Sequence, residues 1–282
     1  MKTIMILLVL FNMFCLSCKS EVEVLYKYKI RKLKNSKINL IIDCIGVEDY
    51  SEGTIEDINT LINGAEIKYL DIKTNKIKLN DLIVLLKKNN IMNLNLGSND
   101  VKIVFSPADN LKWISALNNN TIGLELYKLE LNEKFFEELS KKNIFKIEIH
   151  NDVMNKKNIN DKIFNIITKC KTIEAIHIHN SVITDDGLKY LSQIINCKSV
   201  VITNALIKGR GFKYLDDCEL KEDPYYYDYF DFTDNIFNYK ELKKIQLKTM
   251  KHILCEGDFC GLSLEHVEYL RKNNNIAISD VP

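Results

Sequence analysis

The strongest constraint on this chain is a set of apolar positions that recurs every 23 to 30 residues along most of its length. The pattern has the form L-x-x-L-x-L-x-x-N, and its central anchors are Leu70, Leu94, Leu124, Ile147, Ile176 and Val200. The clearest copies are Ile183–Leu191 and Ile207–Leu215, which lie 24 residues apart. Such a period predicts stacked units that share one continuous core, because a single unit cannot bury its own apolar face.

Each unit reads as a short strand, a polar turn and a helix of about three turns. The predicted helices are the amphipathic stretches Asn80–Asn89, Pro107–Leu117, Asn132–Lys142, Asn160–Cys170, Thr184–Asn196 and Ser263–Lys272. Thr184 or Asp185 is the predicted N-cap of the fifth stretch. Residues 40–42 and 276–278 are candidate first and last strands, and residues 242–250 are predicted to form one more unit.

This pattern, and above all the segment ITDDGLKYLSQ that begins at Ile183, resembles the leucine-rich-repeat superfamily. The similarity is to the helix-backed type, which includes ribonuclease-inhibitor-like and cysteine-containing repeats, and it is strong in Glu66–Asn99 and Phe145–Leu215. The resemblance implies an α/β fold: a leucine-rich-repeat solenoid, or horseshoe, with parallel strands on the concave face and helices on the convex face. An open α/β sheet with longer crossovers is the alternative, although no glycine-rich strand-to-helix turn favours it.

In that superfamily, a polar residue after each strand forms hydrogen bonds with the backbone of the turn. The residues that hold this place here are Asn75, Asn99, Asp152 and Ser181. Three units have an apolar residue there, namely Leu129, Ala205 and Met250. Irregular turns are expected in those three units, because the side chains cannot form the same bonds.

Residues 1–17 are predicted to be a signal peptide. A single lysine precedes an apolar run over residues 4–14, which is too short to span a bilayer and has the length of a secretory h-region. The segment Cys15–Cys18 resembles the cleavage site of bacterial lipoproteins, in which a small residue precedes the cysteine that is acylated. Ser17 and Cys18 fit those two places, so Cys18 is the predicted lipid attachment site. An ordinary cleaved signal is the alternative.

The remaining chain divides into a lipid-anchor tether and N-terminal cap at residues 18–37 and a leucine-rich-repeat domain at residues 38–282. Export to the cell envelope is expected, at the outer or the cytoplasmic membrane. Lys and Arg number 39 against 38 Asp and Glu, which argues against nucleic acid as a partner because that ligand demands a basic surface. No serine-hydrolase, zinc-protease or P-loop motif is present, so neither an enzyme nor a cofactor is expected.

The side chains between the buried anchors of each strand should point to the concave face, because side chains alternate along a strand. The binding candidates on this face are Tyr69, Asp71, Glu125, Tyr127, Glu148, His150, His177 and His179. The register pairs Glu148 with His177 and His150 with His179 on adjacent strands. Imidazole and carboxylate groups suit zinc or a similar transition metal. A metal or small-ligand site is therefore one interpretation of the four residues, and a polar strand face without metal is the other.

Residues 218–240 are predicted to be an insertion, because the repeat step lengthens there and the segment is rich in aromatic and acidic residues. Its candidate binding residues are Tyr225, Tyr226, Tyr227, Tyr229, Phe230 and Phe232. Exposed tyrosines are typical of binding loops, because they give a large contact area at a low cost in entropy. The alternative is a degenerate unit whose aromatic residues pack onto the solenoid.

Two cysteine pairs differ in their predicted roles. Cys170 and Cys197 occupy the same place in successive units and are expected to be small core residues. Cys255 and Cys260 flank a Gly-Asp turn and could form a disulfide in an exported protein, or remain thiols.

These patterns together predict an exported, lipid-anchored protein that offers a surface for a protein or peptide partner and contacts the membrane through its N-terminal lipid.

Overall fold

The computed structural model describes residues 31–35, 40–47, 66–117, 122–218, 220, 230–256 and 258–280. Its strands are β1 (Arg31–Asn35), β2 (Leu40–Val47), β3 (Glu66–Ile72), β4 (Asn90–Leu96), β5 (Ile122–Tyr127), β6 (Ile144–His150), β7 (Ala175–His179), β8 (Ser199–Thr203), β9 (Phe230–Asp231), β10 (Lys251–Cys255) and β11 (Ile276–Asp280). They form one sheet in which the order of the strands follows the chain. β1 runs antiparallel to β2, and each later pair of neighbours is parallel.

The predicted anchors form one column of core residues across this sheet. Leu70, Leu94, Leu124, Ile147, Ile176 and Val200 stand in register, and each is at most 1% exposed. The column continues through Phe230, Ile253 and Ile278. The apolar repeat in the sequence therefore reflects the stacking of the strands, because equivalent residues of successive units pack against and bury one another.

One helix or helical turn follows most strands and packs against the same side of the sheet. The α-helices are α1 (Leu79–Lys88), α2 (Pro107–Ala116), α3 (Glu133–Leu139), α4 (Asp161–Ile167), α5 (Tyr239–Leu242) and α6 (Leu264–Asn274). The 3₁₀ helices are Val153–Asn158, Gly187–Gln193 and Arg210–Asp217. A further four-residue turn, Asp258–Gly261, has left-handed φ values. The buried residues of the helices and of the strands belong to one apolar cluster.

Local sequence explains where several helices begin. Ser106 caps α2 by accepting a hydrogen bond from Asp109 N at 3.2 Å, and Pro107 follows it at the first helical position. Asn132 and Asn160 cap α3 and α4 in the same way. Side chains of this kind satisfy N–H groups that have no partner within the first turn of a helix.

The predicted N-cap of the fifth helix is wrong, because the N-cap position is Asp186 and no side chain caps the helix. The two candidate side chains bind neighbouring units. Thr184 donates from its hydroxyl to the carboxylate of Asp161 in the preceding unit at 2.6 Å. The carboxylate of Asp185 accepts hydrogen bonds from the backbone of the following unit, at Gly209 N (2.9 Å) and Gly211 N (2.8 Å). Both side chains therefore connect successive units, and the helix itself is 3₁₀ and begins at Gly187.

The prediction of a repeat unit at residues 242–250 is also wrong. Leu242 ends α5, and the following residues lie in turns before the strand begins at Lys251. A unit that the sequence did not predict contains β9; Phe230 in this strand and Phe232 just after it are 2% and 0% exposed. The predicted insertion at residues 218–240 thus contains a strand of the sheet, with two phenylalanines where other units have leucine or isoleucine.

The structure has Cys255 and Cys260 as thiols and not as a disulfide. Their sulfur atoms donate to different backbone carbonyls, Cys255 Sγ to Ser279 O at 3.6 Å and Cys260 Sγ to Glu256 O at 3.8 Å. Cys170 and Cys197 are 3% and 1% exposed, which confirms the prediction that they are core residues.

Candidate functional site

The side of the sheet away from the helices carries three rows of aligned side chains across β3–β8, which we call the strand face. The first row is Tyr69, Asn93, Gly123, Lys146, Ala175 and Ser199. The second row is Asp71, Asn95, Glu125, Glu148, His177 and Val201. The third row is Tyr127, His150, His179 and Thr203. All eight residues that the sequence predicted for this face lie on it, because they alternate with core residues along each strand.

The face is uneven in its exposure. Tyr69 is 54% exposed, whereas His177 is only 9% exposed and the other residues of the second and third rows are mostly half-buried. Tyr69 is therefore a large aromatic group at one end of the face that stands ready for contact, while the histidines at the other end are already packed.

Two acceptor atoms near Tyr69 have no donor among the described residues. Asp71 forms an ion pair with Lys73 through Oδ2 at 2.8 Å, but its Oδ1 is buried and accepts no hydrogen bond. The same holds for Oδ1 of Asn95, which is the register partner of Asp71 on β4. A buried polar atom without a partner costs about 1–3 kcal/mol. This end of the face therefore holds two unsatisfied acceptors, which an incoming N–H or O–H donor reaches only after neighbouring side chains move.

Glu148 is the centre of the polar contacts at the other end. Its Oε2 lies 2.7 Å from Lys146 Nζ and 3.3 Å from His177 Nδ1, and its Oε1 lies 2.7 Å from His150 Nε2. Burial acts to raise the pKa of Glu148, but hydrogen bonds from His150, His177 and Lys146 outweigh it, so the pKa lies well below its usual range. Glu148 is therefore an ionised carboxylate with both oxygens engaged.

The third row is a stack of rings. Tyr127 and His150 have centroids 4.1 Å apart and planes 2° apart, and His150 and His179 have centroids 4.3 Å apart and planes 10° apart. At the two ends of the stack, the Tyr127 hydroxyl donates to Glu125 Oε1 at 2.5 Å, and His179 Nδ1 lies 2.9 Å from Thr203 Oγ1. The row is consequently held in place from both sides.

Burial also shifts the pKa of the residues at the two ends of this stack. It lowers the pKa of His179 to about 4. Burial and the hydrogen bond to Glu125 raise the pKa of Tyr127 above its usual value. Near neutral pH, His179 is thus a neutral imidazole with a lone pair on one nitrogen, and Tyr127 keeps its proton.

An asparagine follows the last residue of three adjacent strands and fixes this end of the sheet. Asn151 and Asn180 each donate from the side chain to the backbone carbonyl of the other, at 3.0 and 2.9 Å. Asn204 donates to Asn180 Oδ1 at 2.7 Å. Asn180 and Asn204 have φ values of 61° and 47°, a conformation that asparagine tolerates better than most residues. The backbone beside the histidines is therefore held by a ladder of amides.

Three groups of this site could together hold a metal ion. One ligand atom each from Glu148, His150 and His179 lies within 4.8 Å of the others. His177, which the sequence included in this set, plays a different part: its two ring nitrogens contact Glu148 Oε2 and Ser199 Oγ, the latter at 2.8 Å. It therefore orients the carboxylate from the side.

The other predicted binding residues do not join this site. Phe230, in β9, and Phe232, just after it, are core residues, so they are not available as loop contacts. The predicted tyrosines Tyr225, Tyr226, Tyr227 and Tyr229 lie outside the described residues. The predicted lipid attachment site, Cys18, and the signal peptide at residues 1–17 also lie outside them.

Some of the residues whose side chains form hydrogen bonds with the backbone of the turns were not predicted from the sequence. Asn235 is fully buried; its side chain donates to Ile202 O at 2.7 Å and accepts from Ala205 N at 3.2 Å. The signal was present, since Phe230-x-Phe232-x-x-Asn235 follows the repeat pattern if phenylalanine is allowed at its apolar positions. By contrast, two predicted turn residues, Asn75 and Asn99, are exposed.

Among the described residues, no helix combines the length and the apolar character that crossing a bilayer requires. Neither the protein-family models nor the curated proteins compared with this chain give a match.

Proposed function

We propose that this chain is an exported, lipid-anchored protein of the leucine-rich-repeat type, which binds a protein or peptide partner at the cell envelope through its strand face. In this proposal the protein offers a surface and has no catalytic activity of its own. The anchor is Cys18, and residues 18–37 connect it to the repeat domain.

The order of the elements supports a horseshoe. Neighbouring strands lie about 4.8 Å apart, whereas packed helices need about 8–10 Å between their axes. A sheet with helices on one side only can meet both spacings by curving, with the strands on the inside. The strand face would then line a concave surface, which is a favourable shape for enclosing part of a partner.

The observation that carries the proposal is the combination of Tyr69 with the two unsatisfied acceptors, Asp71 Oδ1 and Asn95 Oδ1. Exposed tyrosine contributes disproportionately to protein interfaces, because its ring is large and rigid and its hydroxyl can form hydrogen bonds. Donors from a partner would remove the cost of leaving the two acceptors buried without a hydrogen bond. The partner segment that fits this end of the face is rich in N–H donors, and a basic side chain beside Asp71 would suit it best.

Site-specific photo-crosslinking in cells that produce the full chain tests this function. A benzophenone amino acid would replace Tyr69 in one variant and Ile195 in a control variant. Ile195 is 82% exposed and follows the 3₁₀ helix Gly187–Gln193, so it probes the helix side of the molecule.

We expect a discrete adduct of defined mass from position 69 and none from position 195. Crosslinking from position 69 should also weaken when Asp71→Ala is added, because that change removes one of the two unsatisfied acceptors. Equal adduct patterns from both positions, or no adduct at position 69, would sink the proposal that the strand face is the binding surface.

A further inference from the structure

We infer that Glu148, His150 and His179 form a binding site for a divalent transition-metal ion of the Zn²⁺ class. This goes beyond the proposed binding of a protein partner, since the site lies at the opposite end of the strand face from Tyr69 and uses different groups.

The positions of the three ligand residues on β6 and β7 bring them together. Glu148 and His150 are two residues apart on β6, and His179 is the register partner of His150 on β7. Their side chains share one face of the sheet, and their ligand atoms lie within 4.8 Å of one another. Ligand atoms around a tetrahedral zinc ion lie about 3.3 Å apart, so the ligand atoms that are farthest apart need to converge by at most about 1.5 Å.

The surrounding contacts leave the right atoms for a metal. His179 Nδ1 is engaged by Thr203 Oγ1, so Nε2 is the nitrogen that can bind. Lys146 and His177 hold Oε2 of Glu148, which leaves Oε1 directed at His150. Outer contacts of this kind commonly orient metal-binding imidazoles and carboxylates. With three protein ligands, the fourth position would be open to water.

One ring has to turn before the metal can bind. A metal ion lies in the plane of each imidazole that binds it, and the rings of His150 and His179 are nearly parallel. Since Thr203 holds His179, the ring that turns is His150. It would give up its stack on Tyr127, and the ion would take the place of the hydrogen between His150 Nε2 and Glu148 Oε1.

The donor set decides the class of ion. Two imidazole nitrogens and one carboxylate oxygen suit Zn²⁺ and its transition-metal neighbours, whereas Mg²⁺ and Ca²⁺ prefer oxygen ligands alone. We therefore expect Zn²⁺ to bind and Ca²⁺ not to bind at this site.

Zinc titration of the purified, EDTA-treated chain tests the inference, followed by calorimetry and by NMR of the imidazole nitrogens. The chain has only five histidines, so each can be followed. One equivalent of Zn²⁺ should shift the signals of His150 and His179 and leave those of His252 and His266 in place. This readout uses the unmodified protein, so it does not depend on the folding of any variant.

Zinc affinities of single-residue variants provide the second test of the inference. His150→Ala and His179→Ala should each weaken zinc binding roughly tenfold or more. His252→Ala is the matched control: it is an exposed histidine on β10, three strands from β7, and its loss should leave the affinity unchanged. The inference fails if zinc shifts none of the strand-face histidine signals, or if the affinity is the same in the His150→Ala, His179→Ala double variant as in the control.

Discussion

Asparagine side chains form hydrogen bonds that join one unit to the next. Asn235 satisfies backbone groups of its own turn and of the preceding unit, and it is buried where water cannot replace it. Asn151 and Asn180 do the same at the carboxyl end of β6 and β7. Each of these residues matters because a buried backbone N–H or C=O without a partner is costly.

We predict that Asn235→Ala lowers the free energy of unfolding by about 2–4 kcal/mol, because it leaves several buried backbone groups without hydrogen bonds. Urea unfolding followed by circular dichroism measures this change. Asn75→Ala is the control: Asn75 is exposed, and its loss should change stability by less than about 0.5 kcal/mol. Equal effects of the two changes would contradict the assignment of Asn235 as the turn-bracing residue.

At the level of side chains, the sequence predicted which residues lie side by side on the strand face, but it did not predict which groups they contact. Strict alternation placed Glu148 beside His177 and His150 beside His179, and the strand pairing confirms both. Alternation could not show that His177 would turn towards Ser199 or that His150 would stack on Tyr127. Such choices depend on side-chain rotation and on neighbours that lie 22 or more residues away in the chain.

The elements of the structure differ from one another mainly on the helix side. The first units have α-helices, whereas the units that contain Gly187 and Gly211 have 3₁₀ helices. A side chain at Gly211 would place Cβ only 2.3 Å from the backbone oxygen of Asp185, and at Gly187 it would place Cβ 2.4 Å from a carboxylate oxygen of Asp161. Glycine at these two positions lets successive units approach closely.

Gly211→Ala should destabilise the protein by about 2–4 kcal/mol, because its new methyl group meets backbone atoms that cannot move away cheaply. Gly187→Ala should cost less, since its closest clash is with the end of a side chain. The midpoint of thermal unfolding ranks the two variants. If Gly187→Ala proves the more damaging, contact with the backbone of Asp185 is not what requires glycine.

On the scale of the whole molecule, the described units form one continuous core, and the proposed anchor lies far from it in sequence. The described core runs from β3 to β11, and Cys18 precedes all of its residues in the sequence. Anchoring and folding should therefore be separable.

Replacing Cys18 with alanine is expected to abolish incorporation of an alkyne-labelled fatty acid and to release the protein from the membrane fraction. Cys15→Ala is the control and should keep the label, since the bulky residue before Cys15 excludes it as the acylation site. In-gel fluorescence after coupling to a dye measures the label. Retention of label in the Cys18→Ala protein would rule out the proposed anchor.

The sequence by itself determined the repeat of strand and helix, the column of apolar anchors and the residues of the strand face, because these follow from local periodicity. The sequence also contains the repeat pattern at Phe230, Phe232 and Asn235, but phenylalanine replaces leucine there and the unit was not predicted. The tertiary structure alone decided which polar groups of different units meet: the carboxylate of Asp185 with Gly211 N, the side chain of Asn235 with Ile202 O, and the thiol of Cys255 with Ser279 O. The reason is range, since hydrogen bonds depend on atoms about 3 Å apart in space whose residues lie 20 or more positions apart in the chain.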